Sequence, residues 1–226
     1  MFVKNPCEDT NFFASLFSFP LLFSLFLLFF VIFALGMIVD IHTHNAQTHA
    51  QTIDTVGIHP WHATTGDIAE VERLAYSVDA VGEIGLDYAC NVPREEQMAV
   101  FRTQLALAER LEKPVVLHCV RAFEYIMVTL EKYRLKAVIF HGFIGSVEQA
   151  QRAVKQGYYI SFGERTFRSP KTIEAMRATP LSQLFIETDE STTPIEEIYA
   201  KIAELRGIST KDLLAATEEN FHKIIK

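Results

Sequence analysis

The stretch Val81-Gly82-Glu83-Ile84-Gly85-Leu86-Asp87-Tyr88 sets a carboxylate between two glycines at the end of a short apolar run, Ala80–Val81. Glycine tolerates close approach by a ligand or a neighbouring backbone, so Glu83 is free to point inward where bulkier neighbours would block it. Four other apolar runs also end in side chains that bind metals: Ile38–His44, Val115–His118, Val138–His141 and Leu184–Asp189. Strands that each finish in a histidine or a carboxylate assemble a cation site at one end of a sheet.

On both sides of this stretch, short strands alternate with amphipathic helices. Upstream, Ile38–Ile41 reads as a strand closing with His42-Thr43-His44, and Ile53–Ile58 as one closing at His59-Pro60. Asp67 with Glu70 has the spacing of a capping box, and Ile68, Val71 and Leu74 supply an apolar stripe behind it. Downstream, Arg94–Glu112 reads as a helix with Met98, Phe101, Leu105, Ala108 and Leu111 at steps of three and four. Pro114–His118 is a strand, Ala122–Tyr133 a helix, and Val138–Phe140 a strand leading to His141. Ser146 and Gln149 form a second capping box, for a helix ending at Gly157; Tyr158–Phe162 is a strand, and Ser169-Pro170 opens a helix. Leu184–Ile186 carries Glu187-Thr188-Asp189, and two closing helices follow, Pro194–Arg206 ended by Gly207 and Ser209–Ile225.

Repeated strand–helix units with short connections predict an α/β fold, a TIM-like (β/α) barrel. The count is about seven strands, one short of the usual eight. Asn45 to Thr52 is all that joins the first strand's top to the second strand's bottom. Such a segment reaches roughly 26–29 Å when extended, enough to run back along a strand but too short for a helical crossover. One βα passage is therefore expected to be missing.

The chain has 226 residues, a net charge of −7 and a pI near 5.6, which argues against broad electrostatic adhesion to nucleic acid. A phosphate substrate remains compatible with this charge, because bound divalent ions supply positive charge locally. Cys7, Cys90 and Cys119 are too scattered for a disulfide framework or a cysteine-rich zinc site and read as reduced thiols of a cytoplasmic protein. Residues 1–36 form an apolar N-terminal segment, read as a mis-assigned start, a signal or an anchor, with the barrel occupying 37–226. A membrane partner follows only if that segment is retained.

The ligand types define the chemistry. His42 and His44 lie two apart on a predicted strand, so both imidazoles face one side. Alone the pair is a weak signal that core or surface histidines would also satisfy. Glu83, His118, His141 and Asp189 strengthen it, each falling at the C-terminal end of a strand, where such barrels build their sites. Two divalent ions, zinc, magnesium or manganese, are the economical number for six donors. In this arrangement Glu83 bridges them, one ion taking His42, His44 and Asp189 and the other His118 and His141. Asp189 is the natural acceptor for the proton of an activated water, with a helix N-cap as its purely structural alternative.

These residues resemble the TatD-type metal-dependent deoxyribonucleases of the amidohydrolase superfamily. The motifs are Asp40-Ile41-His42-Thr43-His44, Gly57-Ile58-His59-Pro60, Gly82-Glu83-Ile84-Gly85-Leu86-Asp87-Tyr88, Pro114-Val115-Val116-Leu117-His118, Phe140-His141-Gly142-Phe143 and Glu187-Thr188-Asp189, in family order from Met37 to the end. The resemblance implies a hydrolase that binds two divalent metals and cleaves phosphodiesters, DNA among them. It gives His42, His44, Glu83, His118, His141 and Asp189 the look of metal ligands, Glu83 and Asp189 that of catalytic groups, and His59 that of a substrate-phosphate contact.

The chain departs from the pattern in its short Asn45–Thr52 connection, in Glu190-Ser191-Thr192-Thr193 running almost directly into a helix, and in Val120 with Arg121 one place later than the usual arginine. The last two thin the basic side chains that usually contact phosphate. Two alternatives stand beside the nuclease reading. One is hydrolysis of another ester or amide, such as an aminoacyl-tRNA linkage. The other is a catalytically degenerate metal-binding barrel whose open strand edge is covered by another subunit, a homo-oligomer. Trp61 is weighed between stacking on a base and packing, while Arg94, Arg121 and Arg168 are weighed between holding phosphate and serving as solvated charges. His49, His62 and His222 are expected at the surface or in packing.

Overall fold

The computed structural model describes residues 37–45 and 48–225. In chain order its elements are β1 (Thr55–Val56), α1 (Ile68–Leu74), β2 (Ala80–Asp87), α2 (Arg94–Arg110), β3 (Val115–Val120), α3 (Phe123–Leu130), β4 (Val138–Phe140), α4 (Val147–Lys155), β5 (Tyr159–Phe162), α5 (Pro170–Ala178), β6 (Leu184–Ile186), α6 (Ile195–Arg206) and α7 (Thr210–Ile225). Caps start the helices where the sequence supplies them. Ser146 and Gln149 form both halves of a capping box on α4, and the Ser169 hydroxyl accepts from the Thr172 amide with Pro170 in the first turn of α5. Asp67 caps α1 through the Ala69 and Glu70 amides, but the reciprocal half of that expected box does not form, because Arg73 holds the Glu70 carboxylate.

All six strands run parallel in the order β1 to β6, with helices between them, as in a TIM-like α/β fold. The seventh expected strand, Ile38–Ile41, is not a strand of this sheet. The chain bends at Ile41–His42 and makes only isolated bridges, Val39 with Gln51 and Thr43 with Asp189. On one flank the Asp40 amide donates to Gln51 O at 2.9 Å; on the other the Ile41 amide donates to Ile186 O at 3.0 Å. The segment thus lies between the two edges of the sheet, bonded to the residues before β1 and to the end of β6. The expected Ile53–Ile58 strand shortens to Thr55–Val56 for a different reason. Both polar groups of the Ile58 backbone are taken by the Gln104 side chain of α2, at 2.6 and 3.1 Å.

Successive side chains divide between two separate apolar clusters, as the two-residue period of a strand requires. Val115 and Leu117, Val138 and Phe140, and Leu184 and Ile186 pack toward the helices. Val116, Ile139 and Phe185 instead meet Val39, Ile41, Ile53 and Ala80, with Phe221 and Ile224 of α7. The positions two residues beyond Val116, Ile139 and Phe185 are His118, His141 and Glu187, so an apolar layer lies directly beneath a layer of ligand-type side chains.

β2 reaches that layer only by breaking phase. Val81 and Ile84 both face the helices, three residues apart, and the β2–β3 register shifts between them. A bulge of this kind adds one residue and re-aims its neighbour, which here is Glu83. The bulge needs the glycines beside it. A Cβ on Gly82 would lie 2.7 Å from Val116 Cβ; one on Gly85, at φ +142°, would lie 2.0 Å from His118 O.

Among the described residues no helix is long and apolar enough to cross a membrane. The N-terminal segment 1–36, with Cys7, lies outside the described residues.

Replacing Gly85 with Ala forces β2 off β3, and an expected loss of about 2–4 kcal/mol should appear as a lower urea midpoint; an unchanged midpoint would contradict this account. Gln104→Leu leaves the Ile58 amide and carbonyl without their partner at nearly constant side-chain volume. It should cost about 1–3 kcal/mol in the same assay.

Candidate metal centre

Glu83 is the hub. Its Oε1 lies 2.7 Å from His118 Nδ1, 2.5 Å from His141 Nε2 and 3.5 Å from His59 Nε2, while Oε2 lies 3.5 Å from His42 Nε2. Burial pushes the Glu83 carboxyl up, but the hydrogen bonds of His118 and His141, with the nearby imidazoles of His42 and His59, outweigh it and hold the group far below the usual carboxylate range.

Asp189 gathers the other group. Its Oδ1 is 3.6 Å from His44 Nε2 and 4.0 Å from His42 Nε2. The residue sits at φ +54°, a left-handed conformation that costs a side-chain-bearing residue about 1–3 kcal/mol. Two backbone bonds of 3.0 Å hold it there, from its amide to His42 O and from the His44 amide to its own carbonyl. Burial, reinforced by the negative charge of Glu187, pushes the Asp189 carboxyl up.

All six side chains expected as ligands, and His59, therefore meet at one end of the sheet; the expected set of His42, His44 and Asp189 forms, and His59 joins the side of Glu83 that faces His118. His42, His44 and Asp189 form one set within ligand distance of each other; His59, Glu83 and His118 form another, and His141 with Glu83 and His42 lies between them. His42 and His44 reach the site from a bend, not from the strand that suggested their common face; their rings meet edge-on at 5.1 Å.

Three buried carboxylates that the sequence reading did not single out as site residues hold this layer in place. Asp40 accepts from the Thr188 amide at 2.9 Å and its hydroxyl at 2.7 Å, tying the His42 segment to the Asp189 segment. Burial pushes Asp40 up to about 6, with the Thr188 bonds pulling the other way. Asp87 faces His118 Nε2 at 3.4 Å and accepts from the Trp61 indole at 2.7 Å; Gln97 holds both polar groups of its backbone. Glu187 accepts from the Gly142 amide at 2.5 Å, with His141 Nδ1 3.7 Å away. Burial alone would lower His141; Glu187 and Glu83 carry it up to about 10. Carboxylates behind ligand histidines fix ring orientation and basicity. Their sequence signal was position: Glu187 stands two residues past inward-facing Phe185, in phase with His118 and His141.

The layer floors a cavity of about 640 Å³, rimmed by Trp61, His62, Arg121, Ile144 and Arg165. Arg121 and Arg165 are exposed and make no ion pair among the described residues. Of the other arginines weighed, Arg168 pairs with Glu164, and Arg94 lies over the Tyr88 ring. His62 belongs to the rim, whereas His49 pairs with Glu196 and His222 lies 3.9 Å from Glu218. Cys119 has its thiol pushed up to about 12 by burial and serves as packing.

The residues fit a divalent ion. His42 Nε2 is buried without a hydrogen-bond partner yet faces two carboxylates, an arrangement a cation would complete. Imidazole nitrogen with carboxylate oxygen is a donor set that suits zinc and manganese.

The family model described as TatD related DNase matches residues 38–226. The uncharacterized metal-dependent hydrolase YabD of Bacillus subtilis (strain 168) is 32% identical over 194 residues, covering 76% of this chain and 76% of its own length. The 3'-5' ssDNA/RNA exonuclease TatD of Escherichia coli (strain K12) is 32% identical over 204 residues, covering 77% and 78%. The crystal structure of the TatD homologue YJJV from Escherichia coli K12 superposes with a TM-score of 0.70 at 29% identity, covering 77% of this chain and 76% of that one. With six ligand-type side chains gathered at one end of the sheet and this match along almost the whole described chain, the protein belongs to the TatD related DNase family of metal-dependent hydrolases.

Proposed function

We propose that this chain hydrolyses phosphodiester bonds at the 3' end of single-stranded nucleic acid, using two divalent ions. The observation that carries the reading is that one carboxylate, Glu83, is within reach of both histidine sets, Oε2 toward His42 and Oε1 toward His118 and His141. His42, His44 and Asp189 would hold one ion and His118 and His141 the other, with Glu83 shared. Divalent ions bound there supply Lewis acidity, polarising a phosphoryl oxygen and lowering the pKa of a bound water.

The chain's own groups do the rest. Asp189, its carboxyl raised by burial, accepts the proton of the attacking water as the new oxygen–phosphorus bond forms and the bond from phosphorus to the leaving 3'-oxygen breaks, and the proton then passes to that leaving oxygen to give a 3'-hydroxyl. His59, 3.5 Å from Glu83 at the cavity wall, contacts the phosphate. Arg121 and Arg165 at the rim offset the negative charge of the neighbouring phosphates in a chain that is otherwise acidic. The exonuclease activity named for the Escherichia coli relative supports this substrate class. Cytoplasmic location belongs to the same proposal: Cys90 and Cys119 are free thiols, the usual cytosolic state.

Metal analysis after reconstitution should give about two ions per chain, falling in Glu83→Ala together with activity on a single-stranded oligonucleotide. Asp189→Asn should lower kcat by roughly 10²–10⁴ with a smaller change in KM. A metal-loaded protein that turns over esters or amides but no phosphodiester would overturn the substrate assignment. Asp87→Ala, acting through His118, should weaken metal binding by about 10–100-fold in a competitive chelator titration.

A further inference from the structure

We propose that Trp61 is the specificity-determining platform on which the 3'-terminal base of a single-stranded substrate stacks, an inference that rests on the phosphodiesterase reading above. Large side chains at a polar rim need a reason to be there. Trp61 is 54% exposed and Ile144 47% exposed, and both border the cavity above the ligand layer. The other large exposed apolar residues, Tyr76, Tyr125 and Val128, do not border it.

The indole is held in place before any substrate arrives. Its ring N–H donates to Asp87 Oδ2 at 2.7 Å and its backbone N–H to His59 Nδ1 at 3.2 Å. It meets His59 edge-on at 4.7 Å and His118 edge-on at 6.3 Å, so neither imidazole lies flat against it. Packing alone would cover the ring; here its polar edge is tied down and over half of the residue is left to solvent. An aromatic fixed this way loses little freedom when a flat group settles on it.

The position selects the ligand. His59, the proposed phosphate contact, is two residues away and touches the indole. A phosphate seated at His59 would therefore carry its own nucleoside past Trp61, with Arg121 and Arg165 on the rim for the next phosphates. Every base presents a π-face, so the preference is for a base as such and not for a sequence. The same indole bonds the Asp87 that faces His118, so its ring and its N–H serve separable purposes.

The chain has one tryptophan, so indole emission, excited selectively over the tyrosines, reports this position alone. The full-length Asp189→Asn protein, loaded with metal, is titrated with a single-stranded tetranucleotide and with the same oligomer lacking its 3'-terminal base. The base-bearing oligomer should quench the emission and the abasic one should not. In turnover by the unmodified chain, KM for the base-bearing oligomer should be lower by roughly 5- to 150-fold. Trp61→Ala should abolish that difference. Trp61→Phe, which keeps a ring but loses the bond to Asp87, should retain most of it while kcat falls. Equal quenching by both oligomers, or equal KM in the unmodified chain, overturns the proposal. If neither oligomer is turned over, the hydrolytic reading falls and the quenching comparison still decides whether Trp61 stacks.

Discussion

The close approach of β2 to β3 is the constraint on which the rest of the site depends. Gly82 and Gly85 let the two backbones come nearer than any Cβ would permit, and the register break between Val81 and Ile84 turns Glu83 from the helix side to the inside. Without that shift Glu83 would face the helices and not the imidazoles of His42, His59, His118 and His141. With it, one side chain stands within 3.5 Å of His42, His59, His118 and His141. Such a density of buried carboxylates and imidazoles is costly unless a cation or a proton balances it. Beside Glu187 and Glu83 the buried His141 imidazole is carried up to about 10.

Behind the ligands stands a second tier of buried acids, each with its own structural task. Asp40 staples the first segment to the stretch just after β6 through Thr188; Asp87 faces His118; Glu187 joins the Gly142 amide and faces His141. Asp40 also helps explain how the fold accommodates the short Asn45–Thr52 connection. The segment carrying His42 and His44 makes isolated bridges and not a ladder, so its position depends on specific bonds. Thr188 supplies two, and the Tyr199 hydroxyl adds a third by donating to Val39 O at 2.7 Å. A local side-chain clamp thereby replaces part of what continuous strand pairing would provide.

Much of this was legible from the residues in order. Strand–helix alternation, the Ser146 and Ser169 caps and the histidines and acids at strand ends are local signals, because period, capping and turn chemistry act within a few residues. Other features were hidden because their partners are distant. Gln104 reads as a polar residue on an amphipathic helix, yet it ends β1 early by bonding Ile58 from 46 residues away. Glu70 has capping-box spacing, but Arg73 competes for it successfully. Arg165 follows β5 with no motif around it and reaches the rim only because the strands converge there.

By itself, the amino-acid order determined the α/β class, the family and which six ligand-type side chains to look for, since each of these is a pattern of residue types at short spacing. Only the tertiary structure decided how the ligands group, that His59 shares the Glu83 carboxylate with His118, and that Asp40, Asp87 and Glu187 support them. The physical reason is that a shared carboxylate or a buried hydrogen bond depends on the distance between atoms from different strands. That distance is set by the bulge, the bend at Ile41–His42 and the packing of the inner layer, none of which has a local signature.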